Sequence, residues 1–273
     1  MSDPQAEFER VVQWYPGHMV TAMRRIGDYL KLIDIVIEVA DARVPHSGTN
    51  PMLDRLAGKR SRVLILNRED LADPHATREW LARFRASGRD TIASNGREQS
   101  SVAKILRHLD AVAGSERGAQ RAMIVGLPNS GKSSIINGLL RRAAAKVEDR
   151  AGVTRQLQWF RVRPNLELMD TPGILVPKIA DAQAQWKLAL VGAVPRDRYD
   201  PEDIATRFHR WVLDRSPESK IPSLEEFAIS RGFVHRGQEA DYHNAAQSYI
   251  KDFNDGKLGR ITLEKPADDA KAT

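Results

Sequence analysis

Gly126-Leu127-Pro128-Asn129-Ser130-Gly131-Lys132-Ser133 decides the fold of this 273-residue chain. The octapeptide fits G-x-x-x-x-G-K-[ST], in which two glycines let a tight turn aim successive backbone N–H groups at phosphate oxygens. An apolar run, Arg121-Ala122-Met123-Ile124-Val125, leads into it as a strand, and Ser134-Ile135-Ile136-Asn137 opens a helix behind it. That helix adds the partial positive charge of its N-terminus. In this setting Lys132 reaches the β- and γ-phosphates and the Ser133 hydroxyl ligates magnesium. Asn129, Ser130, Gly131 and Ser134 complete the expected phosphate contacts.

Working outward, Asp170-Thr171-Pro172-Gly173 lies about forty residues downstream, after a second strand. Asp170 is placed as a magnesium-side carboxylate. Gly173 offers a backbone N–H to the terminal phosphate, with no side chain to block the approach. Thr154, inside Gly152-Val153-Thr154-Arg155, is the candidate switch threonine that ligates magnesium when that phosphate is present.

Upstream of the octapeptide, Asn67-Arg68-Glu69-Asp70 closes another apolar strand and matches N-K-x-D except at Arg68. A carboxylate at Asp70 accepts two hydrogen bonds from guanine, through N1–H and the exocyclic amine, a pair adenine does not offer. Read as a buried group that the wrong base leaves unpaired, it favours discrimination over affinity. Arginine can stack where lysine packs its stem along the base, but the two are not interchangeable. Ser94-Asn95-Gly96, after Thr91-Ile92-Ala93, is where a backbone amide for the guanine O6 should sit. The nucleotide is therefore expected to be GTP or GDP, and Arg68 keeps a P-loop ATPase as an alternative.

The rest of the chain frames these elements. Residues 32–40 form a β-branched run ending at Asp41-Ala42-Arg43, and 62–66 repeat it before Asn67. Helical spacing at 79–86 and 101–112 between such runs predicts βαβ units and a parallel sheet covered on both faces. Residues 156–162 and 166–169, joined at Pro164-Asn165, predict a hairpin. After Pro177 the spacing turns helical, at 184–194, 202–214, 223–231 and 238–254. The expected organisation is a nucleotide domain over 1–181, a small all-α domain over 182–264 and a disordered tail over 265–273.

Composition narrows the class. A 41% hydrophobic and 29% charged chain is ordinary for a globular protein, and the absence of cysteine excludes disulfides and thiolate metal sites. Residues 1–9 carry Asp3, Glu7 and Glu9 with no apolar run, so no secretory signal is expected. No stretch approaches the roughly 18–20 apolar residues that span a bilayer. The net charge of +6 favours a polyanionic partner, but its distribution is uneven. From Asp181 onward 14 basic residues face 16 acidic ones, which leaves 28 against 20 in residues 1–180.

The base-reading element precedes the phosphate loop and the aspartate switch, the reverse of the usual order, so the chain resembles a circularly permuted GTPase. It is similar to the ribosome biogenesis GTPase A family in Trp14-Tyr15-Pro16-Gly17-His18-Met19, in Asp41-Ala42-Arg43-Val44-Pro45 with Asn50-Pro51, and in Gly173-Ile174-Leu175 with Pro177-Lys178. Asp252-Phe253 and Gly256-Lys257-Leu258-Gly259-Arg260 extend the likeness over nearly the whole chain. The resemblance implies an α/β P-loop GTPase sheet with permuted motif order, followed by a helical domain that contacts ribosomal RNA. It implies a GTP-hydrolysing assembly factor acting late on the large ribosomal subunit precursor. With no signal and no spanning run, a cytoplasmic protein without a membrane partner is expected, as are a monomeric state and no DNA partner. Lys251, Lys257, Arg260 and Lys265 form a small basic cluster that fits this modestly.

Two further residue roles come from the resemblance. Related GTPases orient the attacking water with a Gln immediately after the switch glycine, a position held here by Ile174. The family's Pro-Gly-His-Met segment makes His18 the candidate to position that water. Asn129 matches phosphate loops that hold a potassium ion against the phosphates. Ile174 also sustains an alternative: a nucleotide-gated RNA-binding switch with negligible intrinsic hydrolysis.

Overall fold

The computed structural model describes residues 28–113, 119–144, 159–169, 182–233 and 240–266. Six strands form one sheet: β1 (Ile35–Asp41), β2 (Ser61–Asn67), β3 (Asp90–Ser94), β4 (Gln120–Gly126), β5 (Trp159–Arg163) and β6 (Leu166–Met169), in the order β3-β2-β1-β4-β6-β5. All neighbours pair in parallel except β5 and β6, the expected hairpin.

Strand β1 is buried at every residue, as a parallel strand between two helical layers must be. Its alternation divides the core. Ile35, Ile37 and Val39 face Val102, Ile105, Leu106 and Leu109 of α3 (Gln99–Ala113) and Ile135, Ile136 and Leu139 of α4 (Lys132–Ala144). Val36 joins Leu53 and Ala57 of α1 (Met52–Ala57), while Ala40 joins Trp80 and Phe84 of α2 (Pro74–Ala86). Glu38 shares that second face and is itself buried. Its carboxylate accepts from Asn50 N at 2.7 Å and pairs with Arg62 Nη2 at 3.0 Å. Burial raises the Glu38 pKa above its ordinary value, and the Asn50 amide and Arg62 oppose the shift.

Element boundaries move where local hydrogen bonding outranks periodicity. Helix α2 starts at Pro74 rather than 79, because Asp73 caps it by accepting from Ala76 N at 2.7 Å and proline suits the first helical turn. Leu32 lies outside β1 and is 46% exposed.

The strand order positions the site. From β1 the chain builds outward through β2 to β3, then returns to place β4 on the other side of β1. Ligands of open α/β sheets bind outside the carboxyl ends of the strands at such a reversal. Val39 of β1 sits beside Gly126 of β4, and Asp41 beside Asn67 of β2, so both nucleotide motifs start at this one edge.

The described residues divide into two compact units, 28–169 with 264–266 and 182–263. The second is helical: α5 (Ala182–Leu190), α6 (Pro201–Arg215), α7 (Leu224–Ser230) and α8 (Tyr242–Asn254). Its core is aromatic, with Phe208 edge-on to Phe253 and Phe227 edge-on to Tyr249, both at 5.0 Å between centroids. The Tyr249 hydroxyl donates to the Pro222 carbonyl at 2.7 Å, and burial raises its pKa. Ser223 and Glu226 close α7 with a reciprocal capping box.

Glu264, expected as the last residue of the helical domain, belongs to the α/β unit. Its carboxylate accepts from His46 N at 2.7 Å and from the Ser47 amide and hydroxyl, and its carbonyl accepts from Trp80 Nε1 at 3.0 Å. Among the described residues no helix is long and apolar enough to cross a membrane.

Candidate nucleotide site

The phosphate loop joins β4 to α4 in the backbone conformations its glycines allow. Gly131 has φ +92°, and a side chain there would collide with the Asn67 amide. A side chain on Gly126 would strike the Val39 carbonyl. Asn129 also adopts a positive φ, +58°. Lys132 Nζ donates to the carbonyls of Gly126 at 2.8 Å and Leu127 at 2.6 Å, which holds the ammonium across the mouth of the loop. Ser130 Oγ is buried with no hydrogen-bond partner among the described residues. Ser133 is exposed in the first turn of α4, and Ser134 is half-buried.

Asn67 connects three segments. Its Nδ2 donates to the Ser130 carbonyl at 2.9 Å, and its Oδ1 accepts from Gly96 N at 2.9 Å. One amide therefore braces the phosphate loop against the turn that follows β3. The close fit at Gly96 has a second wall, because a Cβ there would lie 2.8 Å from Ile135 Cγ1 of α4.

Ser94 is buried, with its Oγ 3.2 Å from Ser101 Oγ, and its carbonyl accepts from Glu69 N at 3.1 Å. The N–H groups of Asn95, Gly96 and Arg97 donate to Ser101 Oγ, Asn67 Oδ1 and Asn95 Oδ1. A purine O6 arriving at this turn would share one of these donors in a three-centre bond. Between this turn and α4 opens a cavity of about 510 Å³ lined by Gly96, Arg97, Ser134, Asn137, Leu140 and Arg141. That volume is in the range of small-molecule sites.

Asp70 corrects one expectation, for its side chain is exposed rather than buried. Arg68 has φ +61° and its carbonyl accepts from Leu71 N at 2.9 Å, so the chain turns and carries Asp70 outward. The expected penalty for a mismatched base would therefore arise only where a bound base covers the carboxylate. Arg68 is half-buried, with Nη1 3.6 Å from Asp41 Oδ2. Burial lowers its pKa, Asp41 opposes the shift, and Arg43 and Arg97 crowd it with like charge.

The chain is similar to known proteins along nearly its whole length. A family model described as "50S ribosome-binding GTPase" matches residues 121–207. The match begins in β4, as a permuted chain requires, and leaves Asn67–Asp70 ahead of it. The "Ribosome biogenesis GTPase A" of Bacillus cereus is 37% identical, with 94% of each chain covered. The GDP-bound structure of Thermotoga maritima YlqF superposes with a TM-score of 0.73 at 32% identity, covering 89% of this chain and all of that one. The GNP-bound YlqF structure gives the same TM-score at 30% identity, over 90% and 98%.

The chain belongs to the ribosome biogenesis GTPase A family.

It is thus a circularly permuted GTPase that hydrolyses GTP, and its six-stranded sheet carries Asn67–Asp70 at the end of β2 and the phosphate loop at the end of β4, in the expected permuted order. The structure brings Asn67, Arg68, Asp70, Ser94, Asn95, Asn129, Ser130, Gly131, Lys132, Ser133 and Ser134 to the carboxyl edge of β2, β3 and β4. His18, Thr154, Asp170 and Gly173 lie outside the described residues. Sequence reasoning missed the bracing role of Asn67, whose partners lie 63 and 29 residues away. It also missed the contact of Asp41 with Arg68, although the Asp41-Ala42-Arg43 motif was in plain view.

Proposed function

We propose that this GTPase acts in late maturation of the large ribosomal subunit, docking on the precursor and its rRNA in the GTP state and leaving after hydrolysis. The observation that supports the nucleotide part of this reading is the Asn67 brace, which ties the phosphate loop to the turn after β3. The names of its relatives support a ribosomal partner. We place this role in the cytoplasm, as the bacterial relatives favour.

The residues present suit a magnesium nucleotide. Ser130 Oγ is a buried hydroxyl with no hydrogen-bond partner among the described residues, Lys132 Nζ lies on the loop carbonyls of Gly126 and Leu127, and Ser133 places a hydroxyl at the helix start. Ser133, Thr154 and Asp170 would hold the ion, which when bound supplies positive charge to the phosphate oxygens. Lys132 neutralises charge growing on the β- and γ-phosphates, and Gly173 N–H bonds the latter. Asp70 and Arg68 address the guanine. With Ile174 unable to hydrogen-bond water, His18 would orient the nucleophile, and Asn129 would hold a potassium ion beside the phosphates. Ile174 equally favours a second reading, a switch whose unaided hydrolysis is negligible.

In the helical unit, the buried Asp252 carboxylate binds Arg231 Nη2 at 2.8 Å and Lys257 Nζ at 2.6 Å. It fixes two exposed cations. Lys257 lies within six residues of Lys251 and three of Arg260 in the chain, and Asp255 pairs with Lys251 and Lys257. This basic segment is the one we assign to RNA phosphates. Pelleting with large-subunit precursors tests the proposal. A GTP analogue should support association that GDP does not, and Lys257→Ala/Arg260→Ala should weaken it about tenfold and flatten its salt dependence. Association indifferent to nucleotide, to salt and to these substitutions would contradict it.

A further inference from the structure

The Asp41-Ala42-Arg43 turn forms an ion pair that nothing in the nucleotide chemistry above has used. Arg43 is 1% exposed and Asp41 3%. Arg43 Nε donates to Asp41 Oδ1 at 2.9 Å, Nη2 donates to Oδ2 at 2.8 Å, and the Arg43 backbone N–H adds a third bond to Oδ1 at 3.0 Å. Ala42 N donates to the Asn67 carbonyl at 2.8 Å, which fastens the turn to β2. A buried ion pair is weak evidence for stability, since desolvating both charges offsets most of their attraction. A pair held by three hydrogen bonds within two residues instead fixes the carboxylate in one orientation.

That orientation leaves Oδ2 facing the next cation. Asp41 lies opposite Asn67 in the parallel register, one residue before Arg68. Arg68 Nη1 is 3.6 Å from Asp41 Oδ2, and its side chain is 24% exposed. It also feels the charges of Arg97, beside the turn after β3, and of Asp70. The guanidinium thus lies against the end of β1, within electrostatic reach of Asp70 and Arg97. A planar guanidinium stacks well on an aromatic face only if its plane is held.

We propose that Asp41, locked by Arg43, is a positioning residue that tethers the Arg68 guanidinium flat against one face of the bound guanine. The tether explains how an arginine works where the pattern has a lysine: the neighbouring strand supplies the orientation that a lysine stem obtains by packing. This inference rests on the reading of Asp70 as the guanine-recognition carboxylate.

The test is a double-mutant cycle on GDP affinity in the full chain, with ADP as the competing purine nucleotide. Wild type should prefer GDP. Arg68→Ala should weaken GDP about tenfold, the size expected for a partly desolvated cation–π contact. Asp41→Asn should weaken it by a similar factor, and the double variant should be no weaker than Arg68→Ala alone. A merely structural Asp41 would give additive losses. Asp41→Asn leaves a buried Arg43 charge unneutralised, so circular dichroism checks its fold. Where the fold is lost, Asp41→Glu replaces it with the same expectation, because it keeps the charge and displaces the carboxylate by one methylene. Additive losses, or an Arg68→Ala variant with wild-type GDP affinity, overturn the tether while the guanine reading stands. A wild type that does not prefer GDP to ADP overturns the guanine reading and the tether with it.

Discussion

Asn67→Ala is expected to weaken guanine-nucleotide binding by about a hundredfold, roughly 3 kcal/mol, and to lower overall stability as well. The size follows from what the side chain joins. Nδ2 holds the Ser130 carbonyl of the phosphate loop, and Oδ1 holds the Gly96 amide of the turn after β3, in a buried position. Each bond contributes about 1 kcal/mol net, and each buried partner left unsatisfied adds a penalty of similar size. The amide also fills the space that makes glycine obligatory at 131, so alanine leaves a void where two loops meet. Titration with a fluorescent GDP analogue measures the effect. A loss under threefold would mean that the loops hold their shape without the brace.

Lys132→Ala should reduce single-turnover GTP hydrolysis by about 10²–10³-fold, the usual cost of removing one preorganised donor from developing negative charge. The ammonium bonds the Gly126 and Leu127 carbonyls, so it stands at the mouth of the loop and can exchange carbonyl partners for phosphate oxygens. Lys132→Arg should not restore the rate, because a planar fork cannot replace a compact ammonium in that space. The assay is phosphate release at saturating nucleotide, which separates the rate from any loss of affinity. Turnover within tenfold of wild type would remove Lys132 from charge stabilisation.

The parts of this fold that were legible in the sequence are those written in local pattern. The β-branched runs ending at Asp41, Asn67 and Gly126 gave buried parallel strands, and the hairpin turn at Pro164-Asn165 lies between paired β5 and β6. Boundaries failed where a cap decided them, as Asp73 did for α2. At the site, residue types marked the phosphate loop because its glycines and lysine sit within eight positions. Side-chain contacts across long separations carry no such mark. Asn67 bonding to Ser130 and Gly96 and Arg68 leaning on Asp41 are both consequences of strand register, which periodicity does not specify. The exposure of Asp70 depends on one positive φ at Arg68, a turn that residue type alone did not announce.

In the proposed function Asp70, encoded ahead of the phosphate loop, selects the purine held by that loop. Its carboxylate suits the N1–H and exocyclic amine of guanine, whereas an asparagine amide suits the N1–H and C2 carbonyl of xanthine. Competitive titration of wild type and Asp70→Asn with GDP and XDP measures this directly. Wild type should favour GDP by about a hundredfold or more, and Asp70→Asn should reverse the preference. An Asp70→Asn variant that binds GDP as tightly as wild type and still rejects XDP would contradict the account.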